Sequence, residues 1–259
     1  MKKQNQINKQ FLNSFCNYNK LNNIILSFDI DWAPEFMIED LLNLTSKLNP
    51  TFFNTHKSKI LQNLNEKNIT QGIHPNLQNN SSHGHTINNI YKTVKNFGNK
   101  KYLRFHVLGH SYPDLKFFAK RGTEIDSSII LINQPYITPN YHPDIDLVKV
   151  PYVWEDGMIL NFKFNIKNSL NLNLPGLKIL DFHPLDLYLN TPSIEKRNNF
   201  KKKFKSVLFS TKKESEKYIN KKKYGIRDFF IETISYLKRK RINFSNFKEL
   251  NYEFRENKK

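Results

Sequence analysis

Sulfur chemistry is nearly absent from this chain: among 259 residues there is one cysteine, Cys16. A lone thiol excludes an internal disulfide and fits a reducing compartment. Cysteine pairs with zinc-finger spacing are missing, as are an aromatic RNA-binding signature and a recognition-helix motif, so no specific nucleic-acid partner is expected. No run of eighteen or more apolar residues occurs, which argues against a membrane-spanning helix. The opening stretch "MKKQNQINKQFLNSF" is basic, but it has neither the apolar core nor the small-residue cleavage site of a secretory signal. A cytoplasmic location is therefore the expectation. Acids are scarce as well: 41 Lys and Arg stand against 23 Asp and Glu, a formal net charge of +18. Such an excess favours polyanionic partners. Here the lysine is spread along the whole chain together with asparagine and isoleucine. The densest runs, "KRNNFKKKFK" (196–205) and "YINKKKYGIR" (218–227), read as a solvated basic surface with scope for peripheral contact with an anionic membrane.

What is present fits a folded enzyme-sized domain. Apolar residues make up 38% and aromatics 14%, which is not a disordered composition. One domain is expected over 22–250, after an N-terminal extension (1–21) and before a charged tail (251–259). Strand-like runs recur at 22–31, 50–56, 68–75, 101–109, 128–133, 147–155 and 177–184. Several are separated by amphipathic helical patterns, at 35–49, 86–97 and 111–122, and the later chain carries another at 225–240. Strand, helix, strand at this spacing implies parallel strands joined by crossovers, and seven of them suggest a barrel or a strongly coiled sheet. Between 135 and 175 the helical signal fades, and loops with an antiparallel excursion are expected.

A charged or imidazole side chain falls near the C-terminal end of almost every expected strand: Asp29 and Asp31, His56, His74, Arg104 and His106, Glu155 and Asp156, Asp181 and His183. In parallel α/β architectures those ends open onto one face, where active sites form. The run "LSFDIDWAP" (26–34) is the most telling. Alternation about Ile30 puts both carboxylates on one side of an extended chain, which is costly unless a cation lies near. Two histidines and one aspartate are a sensible ligand set for a divalent metal such as zinc, leaving a position for water and a second carboxylate as base. His74, in "GIHPN", reads as a ligand; His83, His85 and His106 compete to be the second histidine. His183 is the candidate acid, with Asp181, Glu155 or Asp156 to fix its tautomer. His56 reads as a substrate contact or support, His110 and His142 as loop residues, and Trp32 and Trp154 as apolar platforms for a substrate or as core.

The motifs "LSFDIDWAP", "GIHPN…SSHG", "YLRFHVLGHS", "GTEIDSS" and "ILDFHP" resemble those of the polysaccharide deacetylase family (the carbohydrate esterase family 4-like group with a chitooligosaccharide deacetylase homology domain). The nearest branch is one associated with surface-polysaccharide biosynthesis. The resemblance covers about 22–190, with "INFSNFKEL" (242–250) similar to the family's closing segment. It implies an α/β fold, a distorted seven-stranded (β/α) barrel in a single domain. It also implies a zinc-dependent hydrolase that removes acetyl groups from an N-acetylated sugar or glycan precursor, free, nucleotide-linked or lipid-linked. It assigns Asp29 as base, Asp31, His74 and His83 as metal ligands, Arg104 as the residue holding Asp29, and His183 as acid. His106, Glu155 and Asp156 join the substrate contacts.

The chain departs from the family pattern at four points. Ile30 separates acids that are usually adjacent. The two metal histidines, normally four apart, would here be nine apart, with Gln78 at the expected place. Phe105 and His106 replace the proline after the arginine motif, which makes His106 the rival ligand. In "VWEDG" the tryptophan precedes the acids. Hydrolysis of a different amide or an ester at the same site, and a catalytically inactive barrel that binds carbohydrate or nucleic acid, are the alternatives.

Overall fold

Ten short strands share one sheet in the computed structural model, which describes residues 23–64 and 69–256. Cys16 and the expected extension 1–21 lie outside the described residues. The strands are β1 (Asn23–Asp29), β2 (Thr51–Asn54), β3 (Thr70–Ile73), β4 (Tyr102–Leu103), β5 (Ile125–Asp126), β6 (Asn140–His142), β7 (Leu147–Lys149), β8 (Trp154–Glu155), β9 (Lys178–Phe182) and β10 (Asn243–Ser245). Their order is β6-β7-β5-β4-β3-β2-β1-β9-β8, and every pairing is parallel except β6 with β7. β9 runs along one edge of β1. The opposite edge is shared: β10 takes Asn23–Ile25 and β2 takes Ser27–Asp29.

Helices connect the parallel strands. They are α1 (Glu35–Thr45), α2 (Lys59–Gln62), α3 (Ile87–Val94), α4 (Tyr112–Ala119), α5 (Asp156–Asn161), α6 (Pro184–Leu189), α7 (Ile194–Lys203), α8 (Lys212–Ser215), α9 (Ile226–Arg239) and α10 (Phe247–Glu256). Their starts obey local chemistry. The Thr86 hydroxyl accepts the Asn89 N–H to cap α3, and Ser111 and Asp114 form a reciprocal capping box at α4. Phe28 on β1 packs against Phe52 and Phe182, while α9 brings Phe229 and Phe230 onto Trp154 and Phe182. Full burial of each such ring contributes roughly 1.5–3 kcal/mol.

Of the expected distorted seven-stranded barrel or strongly coiled sheet, the structure shows the α/β class and a curled, partly open sheet with more and shorter strands. Residues 128–133 contribute only an isolated bridge, Ile130 to Tyr152, instead of a strand. The run 147–155 divides into β7, paired with β5, and β8, paired with β9. Pro151 lies between the two and has no N–H to donate, so the ladder breaks there. One run of chain thus touches both ends of the curl without knitting them into a regular barrel. The antiparallel β6 supplies the excursion expected between 135 and 175.

Candidate metal centre

β1 ends at Asp29, and the next residues leave the strand. Asp31 and Trp32 take φ of 36° and 55°, left-handed values that are costly for a bulky side chain. The Ala33 N–H bonds back to the Ile30 carbonyl, and the Trp32 N–H bonds to the Thr55 hydroxyl, closing a tight turn. Strand alternation therefore does not reach Asp31. The turn swings it over the sheet's end, where it faces three imidazoles. Its Oδ1 lies 3.0 Å from His106 Nδ1 and 3.4 Å from His74 Nε2, and its Oδ2 lies 3.5 Å from His183 Nε2. Burial disfavours the charged carboxylate, but His106 above all, then His74 and His183, holds its pKa well below the ordinary value.

His74 follows β3 directly and is almost fully buried. Its Nδ1–H donates to the Arg104 carbonyl at 2.7 Å, which fixes the tautomer and leaves the Nε2 lone pair pointing at the acids. That Nε2 is also 3.3 Å from His106 Nδ1. His106 begins a 3₁₀ turn, His106–Leu108, just beyond β4, and its N–H bonds to the Pro75 carbonyl. Its ring and that of Trp32 stand perpendicular, edge to face, with centroids 5.1 Å apart.

Asp31, His74 and His106 each offer a donor atom to one point, and Asp31 Oδ1 is buried without a hydrogen-bond partner. Two imidazole nitrogens facing each other beside an orphaned carboxylate oxygen suit a divalent cation, and this N/N/O set fits zinc. Asp29, Asp181 and His183 also converge, as do Glu155, Asp156 and His183. Those two groups fit an ion poorly, because Asp29 and Asp181 already serve the Arg104 guanidinium, Asp156 the His183 imidazole and Glu155 the Tyr152 hydroxyl.

Arg104 is that guanidinium. It is completely buried, and five hydrogen bonds match its five N–H groups. Nε donates to the Ser127 carbonyl at 3.0 Å, Nη1 to Asp29 Oδ1 at 2.9 Å and to Asp181 Oδ1, and Nη2 to the hydroxyls of Ser27 and Ser127 at 3.0 and 3.1 Å. The rings of Phe53 and Tyr152 flank it, each centroid 4.4 Å from Cζ. Burial opposes its charge; the Asp181 and Asp29 carboxylates more than offset this and raise its pKa above the usual range. Asp29 is thus clamped by one oxygen, while its Oδ2 lies 3.4 Å from His74 Nε2.

His183 caps α6, two residues past Asp181. Its partner is Asp156: Oδ1 takes the ring Nδ1–H at 2.6 Å and Oδ2 takes the main-chain N–H at 2.7 Å. Burial works against an imidazolium there, and the Asp156 carboxylate outweighs it, so the His183 pKa stands well above its ordinary value.

Several expected positions prove different. His83 is not in the cluster: Nε2–H donates to the Thr55 carbonyl at 2.7 Å and Nδ1 accepts the Asn76 N–H at 3.0 Å, so neither nitrogen is free for an ion. Asp181 does not orient His183; it spends Oδ1 on Arg104 and the Ser27 hydroxyl. Trp154 is core, stacked on Phe229 with its N–H given to the Ser169 hydroxyl, and does not face the cleft. Trp32 braces His83 and His106, and His56 sits beside Thr55. Neither lines the cleft. Glu155 does line it, and accepts the Tyr152 hydroxyl at 3.1 Å, while Asp156 lies behind His183.

The cleft holds about 340 Å³ and has Asp29, Asp31, His74, His106 and His183 in its lining. Sequence reasoning missed Tyr152 and, on α7, Arg197 and Lys201. It also missed Ser27 and Ser127, which hold Arg104. Besides Ser127, "GTEIDSS" supplies a brace: Asp126 accepts the Ser128 hydroxyl, which accepts the Phe105 N–H between Arg104 and His106.

Comparison with known proteins places the chain. A family model described as WbmS-like polysaccharide deacetylase matches residues 26–201. No curated protein matches. Among solved structures, a Bordetella bronchiseptica protein described as a candidate polysaccharide deacetylase involved in O-antigen biosynthesis superposes with a TM-score of 0.73. It is 24% identical, and the match covers 83% of this chain and 90% of that one, which establishes a shared fold.

Proposed function

The chain belongs to the polysaccharide deacetylase family, and from that premise we propose that its cleft hydrolyses the acetamide of an N-acetylated sugar, with Asp31, His74 and His106 holding a zinc ion. The observation that carries this reading is the buried Asp31 oxygen, without a hydrogen bond of its own, 3.0 and 3.4 Å from the nitrogens of His106 and His74. A divalent ion there would polarise the acetyl carbonyl and acidify a water. Asp29, oriented by Arg104, is placed to take the water's proton. His183, kept protonated by Asp156, is placed to give a proton to the departing amine, which leaves poorly without one. His106 takes the ligand place that the family pattern assigned to His83. A precursor of surface polysaccharide, nucleotide- or lipid-linked, is the substrate we propose, and the O-antigen role stated for the Bordetella protein supports it.

The roles separate experimentally. Asp29→Asn should keep zinc but lose roughly 10²–10⁴-fold in acetate release from N-acetylated sugars. His106→Ala should lose zinc itself, read by metal analysis after dialysis. Zinc retained by His106→Ala, or full turnover by Asp29→Asn, refutes the assignment.

A further inference from the structure

α7 lays two cations along the wall of the metal cleft. Arg197 and Lys201 stand four residues apart, so they occupy one helical face, and both line the cleft that contains Asp31, His74, His106 and His183. Arg197 is 93% buried by side-chain packing around it, being 7% exposed. Only part of its guanidinium is engaged: Nη2 lies 2.7 Å from Asp186 Oδ2, whereas Nε is buried with no hydrogen-bond partner. Nη1 lies against Gly157. A methyl group at 157 would sit 3.2 Å from it and 2.7 Å from Glu155 Oε1, so glycine keeps this edge of the guanidinium open to the cleft.

Lys201 stands at the exposed rim, and among the described residues no ion pair holds its ammonium. Desolvation by its neighbours and the Arg197 guanidinium both push the ammonium below its ordinary pKa. Two cations side by side repel until an anion lies between them. An unfilled donor on a buried planar guanidinium matches carboxylate or phosphate oxygens, and a lysine acts beside it as a point charge.

Building on the deacetylase reading, we propose that Arg197 and Lys201 form a subsite for an anionic group on the acetylated sugar, a phosphate ester or a ring carboxylate, and so select charged over neutral substrates. A neutral sugar would bring no counter-charge to the Arg197 Nη1 edge beside Gly157 or to Lys201. The anionic sugar would bridge α7 and the metal cluster across the cleft.

The test measures binding to the full-length, zinc-loaded protein by calorimetry, with three probes: N-acetylglucosamine, N-acetylglucosamine 1-phosphate and N-acetylglucosaminuronic acid. At least one anionic probe should bind about 10-fold or more tightly than the neutral sugar, and the one preferred tells phosphate from carboxylate. Lys201→Glu, at an exposed helix position, should bring that ratio to about one or below; Arg197→Gln should do the same if it folds. Inorganic phosphate serves as control, since an anion held by zinc alone would bind wild type and Lys201→Glu alike. Equal binding of all three sugars by wild type, no binding of any, or a preference that survives Lys201→Glu overturns the subsite. If the charge preference holds but no acetate is released from any probe or from a wider set of N-acetyl sugars, the subsite stands and the deacetylase reading fails.

Discussion

His83 and His106 both touch Trp32, with ring centroids 5.4 and 5.1 Å from it, yet their chemistry differs completely. His106 keeps Nδ1 turned toward Asp31, whereas His83 has given both nitrogens to the main chain and ties the Asn76 loop to the Thr55 strand end. Spacing in the sequence cannot separate them, because a nine-residue loop can fold either way. Which nitrogens remain free is a matter of tertiary hydrogen bonding. The structural role has a pH signature. Burial, seconded by His74 and His106 and opposed by the Thr55 carbonyl bond, lowers the His83 pKa to about 4. The unfolded chain takes up that proton near pH 6.5. Between about 6.5 and 4 the unfolded state thus binds more protons, and stability contributed by neutral His83 is lost as pH falls through that window. His83→Gln, which cannot titrate, should show a shallower fall of urea-unfolding free energy between about pH 7 and pH 4.5 than wild type, both in chelator. Parallel curves would show that His83 is not the buried neutral group described here.

At the scale of elements, the phase of polar residues at strand ends was legible, because parallel strands give all their C-terminal ends to one face. Asp29, His74, Arg104, His106 and His183 follow that rule and meet. Asp31 meets them by another route, a left-handed turn that no alternation foretells. The α7 residues were hidden for a different reason. Arg197 and Lys201 sit in a lysine-rich run whose composition speaks of solvent, and only the helical phase fixed by packing turns Arg197 inward and sets Lys201 at the cleft's rim. β3 shows how tightly an element positions the site. A Cβ on Gly72 would lie 2.7 Å from the Tyr102 carbonyl oxygen and 2.8 Å from the Phe53 ring, so β2, β3 and β4 approach as closely as they do only over glycine. His74 follows two residues later. Gly72→Ala should cost about 1–3 kcal/mol in urea unfolding, the usual range for overpacking. It should also weaken zinc binding, because β3 can yield only by moving His74. Wild-type stability together with wild-type zinc affinity would mean that the strands have slack.

Over the whole molecule, the ends of β1, β3, β4, β8 and β9 bring their polar side chains together at the cleft, and that meeting is electrically expensive without a cation. Asp29, Asp31, Asp156 and Asp181 lie within one sheet end, three of them nearly or fully buried, and Arg104 and the imidazoles supply the cations paired with them. The fold class could be read from strand–helix recurrence, while the incomplete closure could not, since it turns on Pro151 and on the bridge-only run near Ile130. A metal that binds the assembled cluster and not the unfolded chain must stabilise the fold by mass action. At a free zinc concentration about 100 times the Kd, the gain is about 2.7 kcal/mol. For a chain of this size each kcal/mol moves Tm by roughly 2–4 °C, so zinc should raise Tm by about 5–10 °C over the chelator-treated protein. Asp31→Asn removes the charged ligand but keeps the side-chain volume, and should abolish most of that increment while leaving the chelator-treated Tm close to wild type. An equal zinc response from Asp31→Asn would place the ion elsewhere on the molecule. No response from wild type would mean that the cluster is closed by its own protons instead of by a metal.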